Sequence, residues 1–332
     1  MLGQGNRRLW LAGYFLAGSA AGACLIYTLA RDFGSMASID TIIRAAPVAV
    51  VTVFYFLVPL GAATQSWRLL FPQAEVPGFR SSARLTWIGL SVNWLLPVAL
   101  VGGELVRFRL ALRQVSRVEN LVASLVGDKT IQVATQALYA LLGLSVLAWA
   151  GKHVSGSAGD AAGFVLFCAV VYLFYRFQRT GMFSGLARRL GAFVRRREPI
   201  QIKAGLVDAA IDGMYQRGAR WWGAVAWRLC FRVLLAAEVA LVLWWLGNSL
   251  VVLHILALES IAQASRVAAM LIPAALGAQE TAIMAAGLIL GYPAESLIAV
   301  AVVKRVRELV VGGAGLVIWQ THEVRALLGN RS

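Results

Sequence analysis

Runs of about twenty apolar residues recur along almost the whole of this 332-residue chain, and they set the solvent in which it folds. A helix needs roughly 20 apolar residues to cross the hydrocarbon core of a bilayer. Clean runs of that kind lie near 9–30, 45–66, 120–150, 161–178, 222–247 and 297–319. Only 14% of the residues are charged and 59% are hydrophobic, whereas soluble domains have about 25% charged and 45–50% apolar residues. The sequence therefore predicts an all-α, polytopic helical membrane protein, a single transmembrane domain over 1–332. The first run follows Arg7 and Arg8. It is longer than the roughly 7–15 apolar residues of a secretory signal, so it reads as a retained span.

Two apolar stretches break the pattern. Residues 95–104 read LLPVALVGGE and residues 271–280 read LIPAALGAQE. Aligned on Pro97 and Pro273, they share Leu, Pro, Ala, Leu and Glu at the same offsets, closing on Glu104 and Glu280. Either stretch alone also fits a simple proline kink in an ordinary span. The charge distribution separates the two readings. Arg68, Arg80, Arg84, Arg107, Arg109, Arg113 and Arg117 flank the first stretch, and a larger basic loop runs from Arg176 to Lys203. The loops near 31–44, 151–160, 247–250 and 291–296 hold few basic residues. The positive-inside rule then places both termini and the basic loops in the cytoplasm. That parity holds only if 83–116 enters and leaves from the cytoplasm and 250–291 enters and leaves from outside.

The expected architecture is about six full spans plus two re-entrant broken-helix hairpins in an inverted repeat. The first repeat covers about 45–150, a cytoplasmic amphipathic segment about 180–220, and the second repeat about 222–320. Pro97, Gly102, Gly103, Pro273 and Gly277 are the expected hairpin breakers. Backbone groups freed at such breaks are tolerated at membrane depth only against protein or a water-filled cavity. Broken helices in corresponding positions of two halves point to a substrate site near the midplane of a transporter.

The net charge of +15 fits cytoplasmic loops facing anionic headgroups. Nucleic acid is not an expected partner, because no basic stretch has a folded module of its own. Arg195, Arg196 and Arg197 are expected to touch anionic headgroups. Inside the spans, Asp128, Lys129 and Glu308 read as members of structural ion pairs. Glu104, Arg107, Glu259, Arg266, Gln279, Glu280, Arg305 and Arg307 are the candidate lipid- or substrate-binding residues, since intramembrane charges are costly and face the interior. Arginine suits an anionic phosphate because its guanidinium binds bidentately. The i, i+3 spacing of Glu104 and Arg107, and of Arg305 and Glu308, allows each pair to share a helix face. Glu104, Arg107, Glu280, Arg305 and Arg307 are expected to form one polar cluster. Glu238 reads equally as a helix-packing contact or as part of a site. Trp10, Trp67, Trp87, Trp94, Trp149, Trp221, Trp222, Trp244, Trp245 and Trp319 mostly fall near span ends, as an interfacial aromatic belt does.

No catalytic constellation stands out. His153, His254 and His322 are isolated, no HExxH or nucleophile elbow occurs, and no phosphate-cradling glycine loop points to ATP. Cys24, Cys168 and Cys230 have no metal or disulfide spacing. The expectation is a protein that is not an enzyme and uses no cofactor or metal.

The GGExxR of Gly102 to Arg107, the PxxLGxQE of Pro273 to Glu280 and the closing KRVREL resemble the lysylphosphatidylglycerol synthase transmembrane (flippase-like) superfamily. Within it, LESIAQASRVAAMLIPAALGAQE and VVKRVRELVVGGAGLVIWQ are most similar to HpnL-type hopanoid-biosynthesis-associated membrane proteins. Ala274 and Ala275 stand where that pattern has PGGLG or PGALG, which moves the expected hairpin tip towards Gly277. The resemblance implies a bacterial inner-membrane protein whose partner is a membrane lipid: a hopanoid, a phospholipid or a polyprenyl lipid. The leading expectation is a lipid transporter or flippase. The alternative is a non-transporting accessory or scaffold protein for lipid-biosynthesis enzymes. A membrane-embedded transferase carries the least weight, because the chain shows no nucleophile or metal constellation.

Overall fold

A computed structural model describes residues 36–96, 102–112, 114–151, 204–269 and 277–328. The expected spans at 9–30 and 161–178 lie outside the described residues, as do Pro97, Pro273, Arg195, Arg196, Arg197, Cys24 and Cys168. Every regular element among the described residues is helical. Helices α1 (Met36–Tyr55) and α2 (Leu57–Arg68) meet at Phe56 and form one rod. Pro59, just past that junction, lacks the N–H that would donate to the Tyr55 carbonyl. A 3-10 turn at Gln73–Glu75 leads into α3 (Phe79–Leu95), α4 (Gly102–Ala111) and α5 (Val118–Gly151). The second half holds α6 (Ala204–Gln216), α7 (Gly218–Trp245), α8 (Val252–Ala268), α9 (Ala278–Ile289) and α10 (Ala294–Leu328).

The helices are built inside out by the standards of a soluble protein. On α7, Trp222, Trp227, Val233 and Trp244 face outward, whereas Arg228, Arg232 and Glu238 are buried. On α10, Val306, Leu309, Val310 and Val317 face outward, whereas Lys304, Arg307 and Glu308 are buried. Apolar side chains outside and charges inside are what a hydrocarbon solvent selects. Ile39–Arg68 and Val118–Gly151 are long and apolar enough to cross a membrane by length and composition. Helices α7 and α10 have the length, at 28 and 35 residues, but their inward charges interrupt the apolar run.

The two broken stretches fold as helical pairs at opposite ends of α7. Leu85 early in α3 and Phe108 and Ala111 late in α4 share an apolar cluster with Trp67, Leu121 and Ala224, near the start of α7. Ile255 early in α8 and Ala286 and Leu290 late in α9 cluster with Val242 and Leu243, near its end, together with Ala45 and Leu297. Trp245 Nε1 donates to the Arg44 carbonyl at 2.8 Å, and Asn248 Nδ2 donates to Ser296 Oγ at 3.0 Å, closing that second end. The pieces joining the arms of each pair, 97–101 and 270–276, lie outside the described residues.

Each pair's first arm leans on the long helix of the other half: α8 on α5, and α3 on α10. Both contacts use a glycine facing a serine. A Cβ on Gly143 would lie 1.7 Å from Ser260 Oγ, and one on Gly315 would lie 2.0 Å from Ser91 Oγ. Small residues of this kind let membrane helices approach closely.

Three expectations need correction. Gly102 and Gly103 do not break the hairpin, because α4 is helical from Gly102 onward. Gly103 is needed for contact between the arms, since a Cβ there would lie 2.1 Å from the Gly89 carbonyl oxygen. Gly277, in contrast, has φ 81°, a left-handed conformation that glycine adopts freely, and its carbonyl accepts the Thr281 N–H at 3.0 Å as α9 begins. Trp67, Trp87 and Trp94 do not belong to an interfacial belt. Trp67 is fully buried, Trp87 Nε1 donates to the Val311 carbonyl at 2.8 Å, and Trp94 stacks edgewise on Phe56. The belt reading suits the outward Trp149, Trp222, Trp244 and Trp245. Finally, the 204–216 part of the amphipathic segment docks on α5 through Val207, Ile211 and Met214, beside Leu121 and Trp67.

Candidate functional site

Glu104 and Glu280 each stand two positions into the second arm of their hairpin, on α4 and α9. Each carboxylate meets a cation eleven positions into the next long helix: Lys129 on α5 and Arg305 on α10. Lys129 Nζ donates to Glu104 Oε1 at 3.1 Å, and Arg305 Nε donates to Glu280 Oε1 at 3.0 Å. The sequence separation is 25 residues in both pairs. Asn93 secures the first pair, accepting the Gly103 N–H at 2.8 Å and donating to Glu104 Oε2 at 3.3 Å.

Asp128 is the centre of a first buried network. Arg107 Nη1 donates to its Oδ2 at 2.9 Å, Gln132 Nε2 donates to the same oxygen at 3.0 Å, and Arg228 pairs with Oδ1. Asp128 and Lys129 are adjacent on α5 and point to different sides, so each takes its own partner. One turn further along α7, Arg232 donates to Thr135 Oγ1 at 3.1 Å, to the Gln132 carbonyl at 2.7 Å and to Gln136 Oε1. Arg107 also stacks on Trp67, its guanidinium carbon 4.2 Å from the ring centroid.

The second network joins α7, α8, α9 and α10. Lys304 pairs with Glu259, which also accepts from Gln263 at 2.7 Å. Arg307 Nε donates to Glu238 Oε1 at 2.9 Å. Glu308 lies at the meeting point: Arg266 pairs with it, Arg305 Nη1 approaches it to 3.3 Å and Arg307 Nη2 to 3.7 Å. Arg266 Nε donates to Gln279 Oε1 at 3.1 Å. Four carboxylates (Glu238, Glu259, Glu280 and Glu308) thus face four cations (Arg266, Lys304, Arg305 and Arg307), and the charges cancel. The Arg307 guanidinium also lies 4.9 Å from the Phe56 ring centroid and 5.1 Å from that of Trp94.

The five residues expected in one cluster therefore divide their partners between two networks. Glu104 and Arg107 belong with Lys129 and Asp128; Glu280, Arg305 and Arg307 belong with Glu308 and Glu238. The i, i+3 spacing brings Arg305 to Glu308 as expected. For Glu104 and Arg107 it does not set the pairing, because Lys129 and Asp128 on α5 offer each its own counter-charge. Glu259, Arg266 and Gln279 lie in the second network. Asp128 stands at the heart of the first rather than at its margin. Sequence reasoning passed over Arg228 and Arg232, both buried between α7 and α5. The available signal was two arginines at i, i+4 inside an otherwise apolar run.

Among the described residues, no group of three or more His, Cys, Asp or Glu side chains is placed to hold a metal ion. A family model described as the lysylphosphatidylglycerol synthase TM region matches residues 11–315. The chain matches no curated protein and no solved structure.

Proposed function

The chain belongs to the lysylphosphatidylglycerol synthase TM region family, a lipid-related membrane family, and from that premise we propose that it is a flippase-like transporter moving an amphipathic lipid between leaflets. The observation that carries this reading is the equivalence of Glu104–Lys129 and Glu280–Arg305, set in helical pairs at opposite ends of α7. Two such halves form an inverted repeat, whose rocking provides alternating access to an interior site. The cargo class is a hopanoid, a phospholipid or a polyprenyl lipid, and the location is a bacterial inner membrane with both termini cytoplasmic. Buried ion pairs that can trade partners suit a headgroup passing through the interior. Arg305, shared between Glu280 and Glu308, is one such pivot.

The test is lipid movement in proteoliposomes with Glu280→Gln and Glu104→Gln. Glutamine keeps an oxygen to accept from Arg305 or Lys129 but carries no charge. Each change strands a cation and lowers stability, so movement is read per folded protein, and sharply reduced lipid movement on that basis supports transport. Full lipid movement in both single variants and in the double variant makes these carboxylates structural and leaves the scaffold reading.

A further inference from the structure

The two networks differ in charge balance, and among the described residues most of their orphaned buried donors fall on the unbalanced side, the second network having one, Arg307 Nη1. In the second network four cations meet four carboxylates. Around Asp128, two guanidiniums (Arg107 and Arg228) pair with one carboxylate and a third (Arg232) lies one turn along α7, while Lys129 is already matched by Glu104. Among the described residues, Arg232 hydrogen-bonds to neutral oxygens, those of Gln132, Thr135 and Gln136, with the Glu259 charge acting on it from farther off. All three arginines are more than nine-tenths buried, with 4%, 3% and 6% relative exposure.

Among the described residues, five donor atoms in this region are buried without an acceptor: Arg107 Nε and Nη2, Arg228 Nε, Gln136 Nε2 and the Tyr139 hydroxyl. They follow the stripe Asp128, Gln132, Thr135, Gln136 and Tyr139 along α5, opposite Arg228 and Arg232 on α7. Arg232 also lies over the Tyr139 ring, 6.0 Å from its centroid. The Trp67 face takes up part of the Arg107 charge, yet a ring offers no lone pair to Nε–H. Burying an unmatched guanidinium costs several kcal/mol even after relaxation, and each orphaned donor adds its own desolvation penalty. A group that supplies negative charge and several acceptor oxygens at once removes both costs. Among common ligands, that chemistry belongs to a tetrahedral oxyanion of the phosphate type.

We propose that the seam between α5 and α7 binds one phosphate-type oxyanion, held by Arg232 with Arg228 and oriented by the Gln136 amide and the Tyr139 hydroxyl. This deepens the lipid-handling reading and rests on it only for the source of the anion. A phospholipid phosphodiester and free phosphate present the same oxygens, and the experiment separates them.

Full-length protein in detergent is melted with inorganic phosphate, with a short-chain phosphatidylglycerol, or with the corresponding uncharged diacylglycerol. The expected result is stabilisation by an anionic probe and none by diacylglycerol. Arg232→Gln should raise the melting temperature of the probe-free protein, because it removes an unmatched buried charge. It should also weaken the anionic probe by on the order of tenfold or more, the loss expected for one charge-assisted contact. A merely structural Arg232 gives the opposite sign, a lower melting temperature. Gln136→Glu retains every arginine and supplies a resident carboxylate, so it should raise the melting temperature and abolish the anionic response. Response to phosphatidylglycerol at far lower concentration than to phosphate supports the site and assigns it to a lipid. Response to phosphate alone supports the site and assigns it to the free anion. Wild-type protein indifferent to both anions, or Gln136→Glu that destabilises and keeps the response, overturns the proposal. Lipid movement is not read, so a failure of transport leaves this result standing.

Discussion

Lys129 and Glu104 meet at 3.1 Å across two helices of the first half, 25 residues apart in sequence, and Arg305 and Glu280 meet across the corresponding helices of the second half at the same separation. The side chains are largely shielded, with relative exposures of 20% and 13% for the first pair and 11% and 6% for the second. Breaking a buried pair by removing one partner typically costs about 3–5 kcal/mol, because the survivor is left unmatched. Glu104→Lys or Lys129→Glu alone should therefore lower the detergent melting temperature clearly. The double exchange Glu104→Lys with Lys129→Glu should recover most of the loss. A double variant as unstable as the worse single one would show that the pair is held by something other than its charges.

Arg307 and Glu238 provide a second cycle in a drier place, each side chain 1% exposed. Arg307→Met strands Glu238 and leaves Glu308 with fewer partners, so a loss of roughly 3–5 kcal/mol is expected. Adding Glu238→Gln should return a substantial part of it. Additive losses, measured by thermal melting of the two singles and the double, would rule out coupling between these side chains.

Gly143 faces Ser260 where α5 meets α8. Gly143→Val places a branched side chain where a single Cβ already lies 1.7 Å from Ser260 Oγ. Overpacking of that kind costs typically about 1–3 kcal/mol or more. Ser260→Gly in the same chain should relieve it. Unchanged melting of Gly143→Val would mean that the two helices are not in close contact.

Topology can be read by labelling. In a background without native cysteines, Phe79→Cys and Pro293→Cys mark the start of α3 and the turn before α10. An impermeant maleimide should reach residue 79 only from the cytoplasmic face and residue 293 only from the opposite face. Labelling of both from one side would remove the inverted arrangement and with it the alternating-access reading.

Much of the backbone plan was legible because it rests on local signals. Apolar run length marked the rods that became α1 with α2, α5, α7 and α10, and the Pro- and Gly-broken stretches marked the segments that became the α3–α4 and α8–α9 pairs. The partner assignments were less legible, because a buried ion pair is chosen by tertiary contact. Arg107 has Glu104 three positions away on its own helix, yet it pairs with Asp128, 21 residues on. Arg228 and Arg232 vanished into the apolar average of 222–247 because a hydropathy window does not see which face a charge occupies. Trp67, Trp87 and Trp94 sit near span ends in sequence, but their partners Ser124, Val311 and Phe56 lie inside the bundle.

The crossed contacts, α8 against α5 and α3 against α10, have a consequence for biogenesis. Asp128 is synthesised 100 residues before Arg228, and Ser91 waits still longer for Gly315. Until the later helices leave the ribosome and insert, the first half holds an acidic side chain at membrane depth with Arg107 as its early companion. Neither half can complete its own interior, so a chain truncated after α5 should be recognised as unassembled and degraded. Co-expressing 1–203 with 204–332 offers each fragment the surfaces it lacks, and the two should accumulate together where neither persists alone.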